Sequence, residues 1–216
     1  MRKHVFYGWC LLGLAVFSLA AYLLLGNPAQ AARLTTPLLR TSQHPAQVHA
    51  RPSQLVRIGQ FECWHWWLEY VSHAECERWG PSDCSTTSMT EVANYYGRHL
   101  RIHDILVVEE QLGEITPEQG LLESAGIART MAAFGFQTRY GYLLSLDQVI
   151  ATANGGRPVI VDWPPFRYDG GHLLVVVGGD RQYIYLADSS RYNRQRLTHW
   201  QFLQWWAGFS AVVTPR

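Results

Sequence analysis

Three side chains in this sequence, Cys84, His172 and Asp188, are of the types that transfer an acyl group when brought together. A thiol attacks a carbonyl as the thiolate, so it needs a base to take its proton, and the base needs a group to hold its ring. Cys84 falls where a helix is expected to begin. Behind it Met89, Val92, Ala93 and Tyr96 recur at i, i+3, i+4 and i+7, the stripe of a core-facing helix, and Gly97 follows as a C′ stop. The unpaired N–H groups and positive dipole end of a first helical turn favour an anion, and so activate a thiol placed there. A free cysteine is also commonly buried as a small hydrophobe, so the local context leaves both readings open and the partners must decide.

The partners lie in GGHLLVVVGGDRQYIYLADSS, which reads as two β-rich runs, Leu173 to Val177 and Tyr183 to Ala187, joined by a Gly-Gly-Asp turn. A turn centred on Asp180 sets Val177 against Tyr183, Val175 against Tyr185 and His172 against Asp188. Directly opposed residues have Cβ atoms about 4.5–5.5 Å apart, within reach of an imidazole–carboxylate hydrogen bond. A bulge in the turn would shift the register by one and separate the pair onto opposite faces. The other histidines compete poorly. His44 and His49 precede the domain, His99 and His103 fall in a polar stretch beyond the cysteine helix, and His199 begins a late helical segment. Asp162 and Asp169 are alternative orienting groups, Asp169 the weaker because it shares a Gly-rich loop with His172.

Of four cysteines, Cys10 lies in an apolar run, leaving Cys63, Cys76 and Cys84. Outside the cytoplasm an odd count points to one disulfide and one thiol kept free. Cys63 and Cys76 are the expected pair, closing CWHWWLEYVSHAEC and stabilising the domain by roughly 3 kcal/mol on a loop-entropy basis. The competing reading is a zinc site made from Cys63, His65, His73 and Cys76, whose spacing matches no common finger. No cofactor and no metal is expected.

The elements that must position these residues occupy part of the chain. With 216 residues, 48% hydrophobic and 16% charged, it holds one mid-sized domain plus an appendage. A net charge of +1 without a run of Lys or Arg excludes a nucleic-acid surface held by phosphate contacts. In residues 1–32 a basic start (Arg2, Lys3, His4) precedes 21 residues, Val5 to Leu25, without formal charge. About 20 apolar residues span a bilayer, so the length favours an uncleaved transmembrane anchor, while Ala29-Gln30-Ala31 offers a signal-peptidase site. Either way the domain lies across the membrane from the basic start.

Residues 33–59, with three prolines and no sustained period, read as a linker, and residues 60–216 as the folded domain. Thr116-Pro117 marks a turn or helix start before a helix over Leu121 to Phe134, stopped by Gly135. Ser145-Leu146-Asp147-Gln148 has the form of a capping box for a helix running to about Asn154. Helices first, then an antiparallel sheet with one late helix, is an α+β layout. Trp64, Trp66, Trp67, Trp200, Trp205 and Trp206 are expected in core and interface, or near lipid headgroups.

The ordered set resembles the papain-like cysteine peptidases of the bacteriocin-processing, double-glycine-leader type, in particular their stand-alone relatives. The resemblance rests on Asp83-Cys84 opening a helix that ends in NYYG, Gly135-Phe136, and Arg157 to Val161 as a strand. It continues through Gly171-His172 with VVVGG, Ala187-Asp188, a helix around Phe202 and Trp206, and a last strand near Ala211. It implies a papain-like fold, with N-terminal helices packed on the sheet. It also implies Cys84 as nucleophile, His172 as base and then acid, Asp188 as the orienting group, and a peptide or protein substrate.

Two positions depart from that family. Ser85-Thr86 stands where glycine follows the nucleophile, and Arg78 stands six residues before the cysteine, where a glutamine helps to bind the oxyanion. Arg78, Trp79 and Ser82 are the candidates to replace it. The expected protein is a membrane-anchored thiol peptidase working outside the cytoplasm. The alternatives are a catalytically weak peptidase-like domain that binds a peptide or an envelope partner, and transfer or hydrolysis on a non-peptide acyl donor. The oligomeric state is not legible.

Overall fold

The computed structural model describes residues 55–216. Residues 1–32, and with them the reading of a membrane anchor or signal, lie outside the described residues, as does most of the linker. No helix among the described residues is long and apolar enough to cross a membrane.

The N-terminal half is helical. A 3₁₀ turn, Cys63–Leu68, leads into α1 (His73–Trp79), α2 (Cys84–Tyr95) and α3 (Ile102–Leu112). A two-stranded hairpin, β1 (Ile115–Thr116) with β2 (Gly120–Leu121), precedes α4 (Ala125–Ala133). Helix α3 corrects the reading of its sequence as a polar stretch. Ile102, Ile105, Leu106 and Glu109 form its buried stripe, and Gly113, at φ +69°, ends it in the left-handed region. A glutamate at the fourth core-facing position hid the period. The helix expected from Leu121 instead begins at Ala125, because the hairpin takes up the preceding residues. Gly120 fixes that hairpin beside the loop before α2. Its φ is +68°, and a Cβ there would sit 2.6 Å from the Ser82 carbonyl oxygen.

The C-terminal half supplies β3 (Phe136–Gly141), α5 (Leu146–Asn154), β4 (Val159–Trp163), β5 (His172–Gly179), β6 (Tyr183–Ala187), β7 (Arg196–Thr198), α6 (His199–Trp205) and β8 (Ser210–Pro215). The six strands form one antiparallel sheet in the order β3-β8-β4-β5-β6-β7. Helix α5 starts at the expected box: Ser145 Oγ accepts from Gln148 N–H and Gln148 Oε1 from Ser145 N–H.

Both faces of the sheet are covered, which explains strands that read as nearly continuous apolar runs. Ile160, Val175, Ala211 and Val213 face Met89, Val92 and Ala93 of α2 and Ile127 and Met131 of α4. Val159, Val161, Leu174 and Val176 face Val149, Ile150 and Ala153 of α5 and Phe202 of α6. The fold is thus α+β, with helices on both sides of an antiparallel sheet. Of the tryptophans expected in core and interface or near headgroups, Trp206 is buried in the core, whereas Trp64, Trp67 and Trp200 are 67%, 55% and 70% exposed.

The β5–β6 hairpin has a different register from the one expected. Asp180 N–H donates to Tyr183 O (2.8 Å), so the turn is centred between Arg181 and Gln182, not on Asp180. Asp180 Oδ1 holds it by accepting from the N–H groups of Gln182 and Tyr183, both at 2.8 Å. Gly179 pairs with Ile184 and Gly178 with Tyr185, a register that alone would put His172 and Asp188 on opposite faces. A β-bulge between Val176 and Gly178 reverses that parity, so that Val176 pairs with Leu186 and Val175 with Ala187. Continued outward, this register sets Ser190 opposite His172. Asp188 is the diagonal neighbour of the histidine, on the same face.

Candidate active site

Cys84 is the first residue of α2, and the helix behind it is buried over its whole circumference from Ser85 to Ala93. Serine and threonine make this possible, being small enough to pack between α3 and the sheet, and two of the hydroxyls find acceptors nearby. Thr90 Oγ1 donates to Thr86 O (2.8 Å), and Thr86 Oγ1 donates to Glu109 of α3. The Cys84 sulfur emerges half-exposed at the start of β5, where Leu173 N–H donates to it at 3.4 Å. Cys63 and Cys76 are bonded to each other, leaving Cys84 as the free thiol of the described residues. The zinc reading of that segment fails on this bond. Among the described residues no cluster of three or more His, Cys, Asp or Glu could hold a metal ion.

His172 opens β5, next to Leu173, and is buried. Its Nε2 lies 2.8 Å from Asp188 Oδ1, and the Cys84 thiol stands beside the same ring, which leaves Nδ1 as the ring nitrogen available to sulfur. Burial opposes charging of the ring. The hydrogen bonds and charges of Asp188 and Cys84 outweigh it and push the imidazolium up to about 9. The Trp163 and Tyr168 rings flank it at 5.9 and 6.2 Å between centroids.

Asp188 sits just past the end of β6 and is fully buried. Burial alone would raise its pKa. Bonds from His172, from the N–H groups of Ser190 and Arg194 (3.0 Å each) and from Arg194 Nη1 (3.1 Å) hold it well below the usual carboxylate range. The Arg194 guanidinium is itself packed over Tyr192, Trp205, Tyr168 and Trp163, at 4.3 to 5.7 Å from the ring centroids. The competing Asp162 and Asp169 both line the cleft, and neither hydrogen-bonds His172. The three residues singled out from sequence therefore meet, the thiol beside the hydrogen-bonded His172–Asp188 pair, at the side of a cleft of about 680 Å³.

Arg78, the residue at the family's glutamine position, is exposed, with its guanidinium 5.3 Å over the Trp79 ring, and it does not line the cleft. Trp79 is core, packed with Leu106 and Ile115. Ser82 reaches the cleft, but its Oγ donates to Trp79 O (3.2 Å). Two glutamines line the cleft with Cys84, the exposed Gln119 and the buried Gln60. It is Gln60 that is positioned by the fold. Its Nε2 donates to Gly80 O (2.9 Å) and its Oε1 accepts from Ser189 Oγ (2.6 Å), so one amide N–H is left over. The segment between Gln60 and Cys84 contains the disulfide-closed loop, and that added length hid the glutamine from spacing. Residues 55–59, read as the end of the linker, pack on the domain: Leu55 joins the α2 core cluster, and Ile58 N–H donates to Glu91 Oε1 (2.7 Å).

The family model for the Peptidase_C39-like family matches residues 68–213. No curated protein matches the chain in sequence. Among solved structures, the peptidase domain of Streptococcus ComA, a bifunctional ABC transporter of a quorum-sensing pathway, aligns with a TM-score of 0.52 at 22% identity, covering 62% of this chain and 92% of that one. A C39-like peptidase from Bacillus anthracis aligns with a TM-score of 0.51 at 14% identity, over 76% of this chain and 96% of that one. At these identities the likeness is one of fold.

Proposed function

The chain belongs to the Peptidase_C39-like family, and from that premise we propose that it is a cysteine peptidase hydrolysing peptide bonds through a thioester. One observation carries the reading: a free thiol at a helix start stands beside a buried imidazole that is hydrogen-bonded to a saturated carboxylate, at the side of an open cleft. Cys84 is the nucleophile, and His172 Nδ1, the ring nitrogen available to sulfur, takes its proton. Asp188 bonds Nε2 and balances the imidazolium, fixing the ring without taking a proton.

On attack of a peptide carbonyl, the negative oxygen is met by the Cys84 backbone N–H and the spare amide N–H of Gln60. His172 then protonates the leaving amine, and water, deprotonated by the same ring, releases the acyl group. With Gln60 in the cleft, Arg78 gives no support to a non-catalytic binding domain. A peptide or protein is the substrate. The uncharged run Val5 to Leu25 and the Cys63–Cys76 disulfide support an anchored domain outside the cytoplasm.

The test is cleavage of a peptide library by the full-length protein in detergent, read by mass spectrometry, with iodoacetamide labelling of Cys84 across pH. We expect cleavage that Cys84→Ala abolishes, and labelling well below pH 8 that slows in His172→Ala. Absence of cleavage, together with labelling no faster than that of a cysteine in a free peptide, would refute the peptidase reading.

A further inference from the structure

The loop closed by Cys63 and Cys76 lies between Gln60 and Cys84 in sequence and touches both sides of that interval in space. Its Tyr70 is 2% exposed, packed with Cys76 and Ile102. The Tyr70 hydroxyl is 3.2 Å from the Gln60 backbone oxygen and 2.6 Å from Asp83 Oδ2, and Asp83 is the residue before the thiol. A phenol has one proton for these two oxygens. Both contacts are satisfied when Asp83 is the neutral acid, donating to Tyr70 while Tyr70 donates to Gln60. Asp83 suits that state: it is fully buried, its second oxygen finds no partner among the described residues, and burial pushes its carboxyl up to about 8.

The loop is also tied, at Cys76, to the group that grips the Gln60 side chain. Gly80 N–H donates to Cys76 O (2.8 Å), and Gly80 O receives the Gln60 amide (2.9 Å). The far side of the loop is docked on the start of α3, where the N–H groups of Ile102 and His103 donate to Glu69 Oε2 (3.1 Å) and Glu69 O (2.9 Å). Gln60 is thus held at its backbone by Tyr70 and at its side chain by the residue that follows α1.

We propose that the 63–76 disulfide loop is the positioning element of the oxyanion site, with Tyr70 as the positioning residue that sets the Gln60 amide against the carbonyl attacked by Cys84. This rests on the peptidase reading. It makes the loop a tuner of acyl transfer that leaves the reactivity of the thiol alone.

Two probes separate those effects in the full-length protein in detergent micelles, both read by mass spectrometry at the Cys84 peptide. Iodoacetamide alkylates sulfur by displacing iodide and forms no oxyanion. p-Nitrophenyl acetate acylates it through a tetrahedral oxyanion: the S–C bond forms, the ester C–O bond breaks, and p-nitrophenolate leaves. Tyr70→Phe is expected to slow acylation by about 10-fold or more, short of the roughly 10²–10³ for losing an oxyanion donor outright, with alkylation within about twofold of wild type. The paired Cys63→Ala, Cys76→Ala variant should lose a similar factor, and Tyr70→Phe added to it should cost little more.

Unchanged acylation in Tyr70→Phe, or acylation and alkylation falling together, overturns the proposal, and Tyr70→Phe decides it alone if the cysteine variant does not fold. Wild-type protein that neither acylates nor alkylates faster than a free cysteine peptide would instead overturn the peptidase reading beneath it.

Discussion

Asp188 and Asp83 are both fully buried carboxyls beside the cleft, and the two are held in opposite ways. On the hairpin side, Asp188 accepts from an imidazole, two backbone amides and a guanidinium, and stays ionised. On the N-terminal side, Asp83 meets one phenol and is pushed by burial to about 8. Glu91 of α2 and Glu109 of α3 are likewise pushed up to about 8 by burial, which the bond from the Ile58 amide to Glu91 and that from the Thr86 hydroxyl to Glu109 only partly offset. Where the reaction moves a proton, the protein supplies donors for a standing charge. Where it must present a neutral amide to a transient one, the polar groups around it are neutral as well.

Breaking the charged side should have the largest effect. His172→Ala removes the group that Asp188 and Arg194 are arranged around, and peptide cleavage by the full-length protein should fall by about 10⁴-fold. A loss below tenfold would mean that another base serves Cys84. On the neutral side Gln60→Ala should cost roughly 10²–10³ in kcat, with KM little changed, as expected for a donor used in the transition state. Arg78→Ala, the matching control on an exposed residue, should leave kcat within about twofold. The reverse order would return the oxyanion role to Arg78.

The comparison is sharpened by pH. Asp83, Glu91 and Glu109 keep protons in the folded state up to about pH 8 that the unfolded chain releases near pH 4, so each makes stability fall as pH rises through that interval. His172, raised to about 9, contributes fully below about pH 6.5, and its contribution is lost as pH climbs through 9. Asp188, with its carboxyl lowered, acts in the opposite direction and only in acid, where its contribution is lost as pH falls through its depressed range. Thermal unfolding followed by circular dichroism should therefore place the highest Tm near pH 4, with a drop of roughly several degrees or more between pH 5 and 9. The combination Asp83→Asn, Glu91→Gln and Glu109→Gln should flatten the slope. A Tm that rises over that range would show these acids to be ionised in the fold.

What was legible in the sequence is local. The start of α2 at Cys84, the box at Ser145 and the pairing of His172 with Asp188 all follow from spacings of a few residues or from one hairpin. What was hidden lies at a distance or against type. Gln60 stands on the far side of a disulfide loop from the cysteine it serves, and Arg194 reaches Asp188 by way of an irregular turn. Helix α3 was concealed by Glu109, a charged residue on its buried stripe. The hairpin register shows a third kind of difficulty. Its expected parity was right although the turn centre was not, because the displacement at Arg181-Gln182 is cancelled by the bulge.

That cancellation ties two places in the hairpin that never touch the substrate. The turn and the bulge each add an odd step to the alternation of side chains, and only their sum leaves imidazole and carboxylate on one side of the sheet. Loss or gain of a single residue at either place would turn the Asp188 side chain away from His172, even with every residue of the site intact. A matched change at both would be silent. Length variation here is therefore tolerated in twos, and the hairpin carries a counting rule that no inspection of the three reacting side chains would disclose.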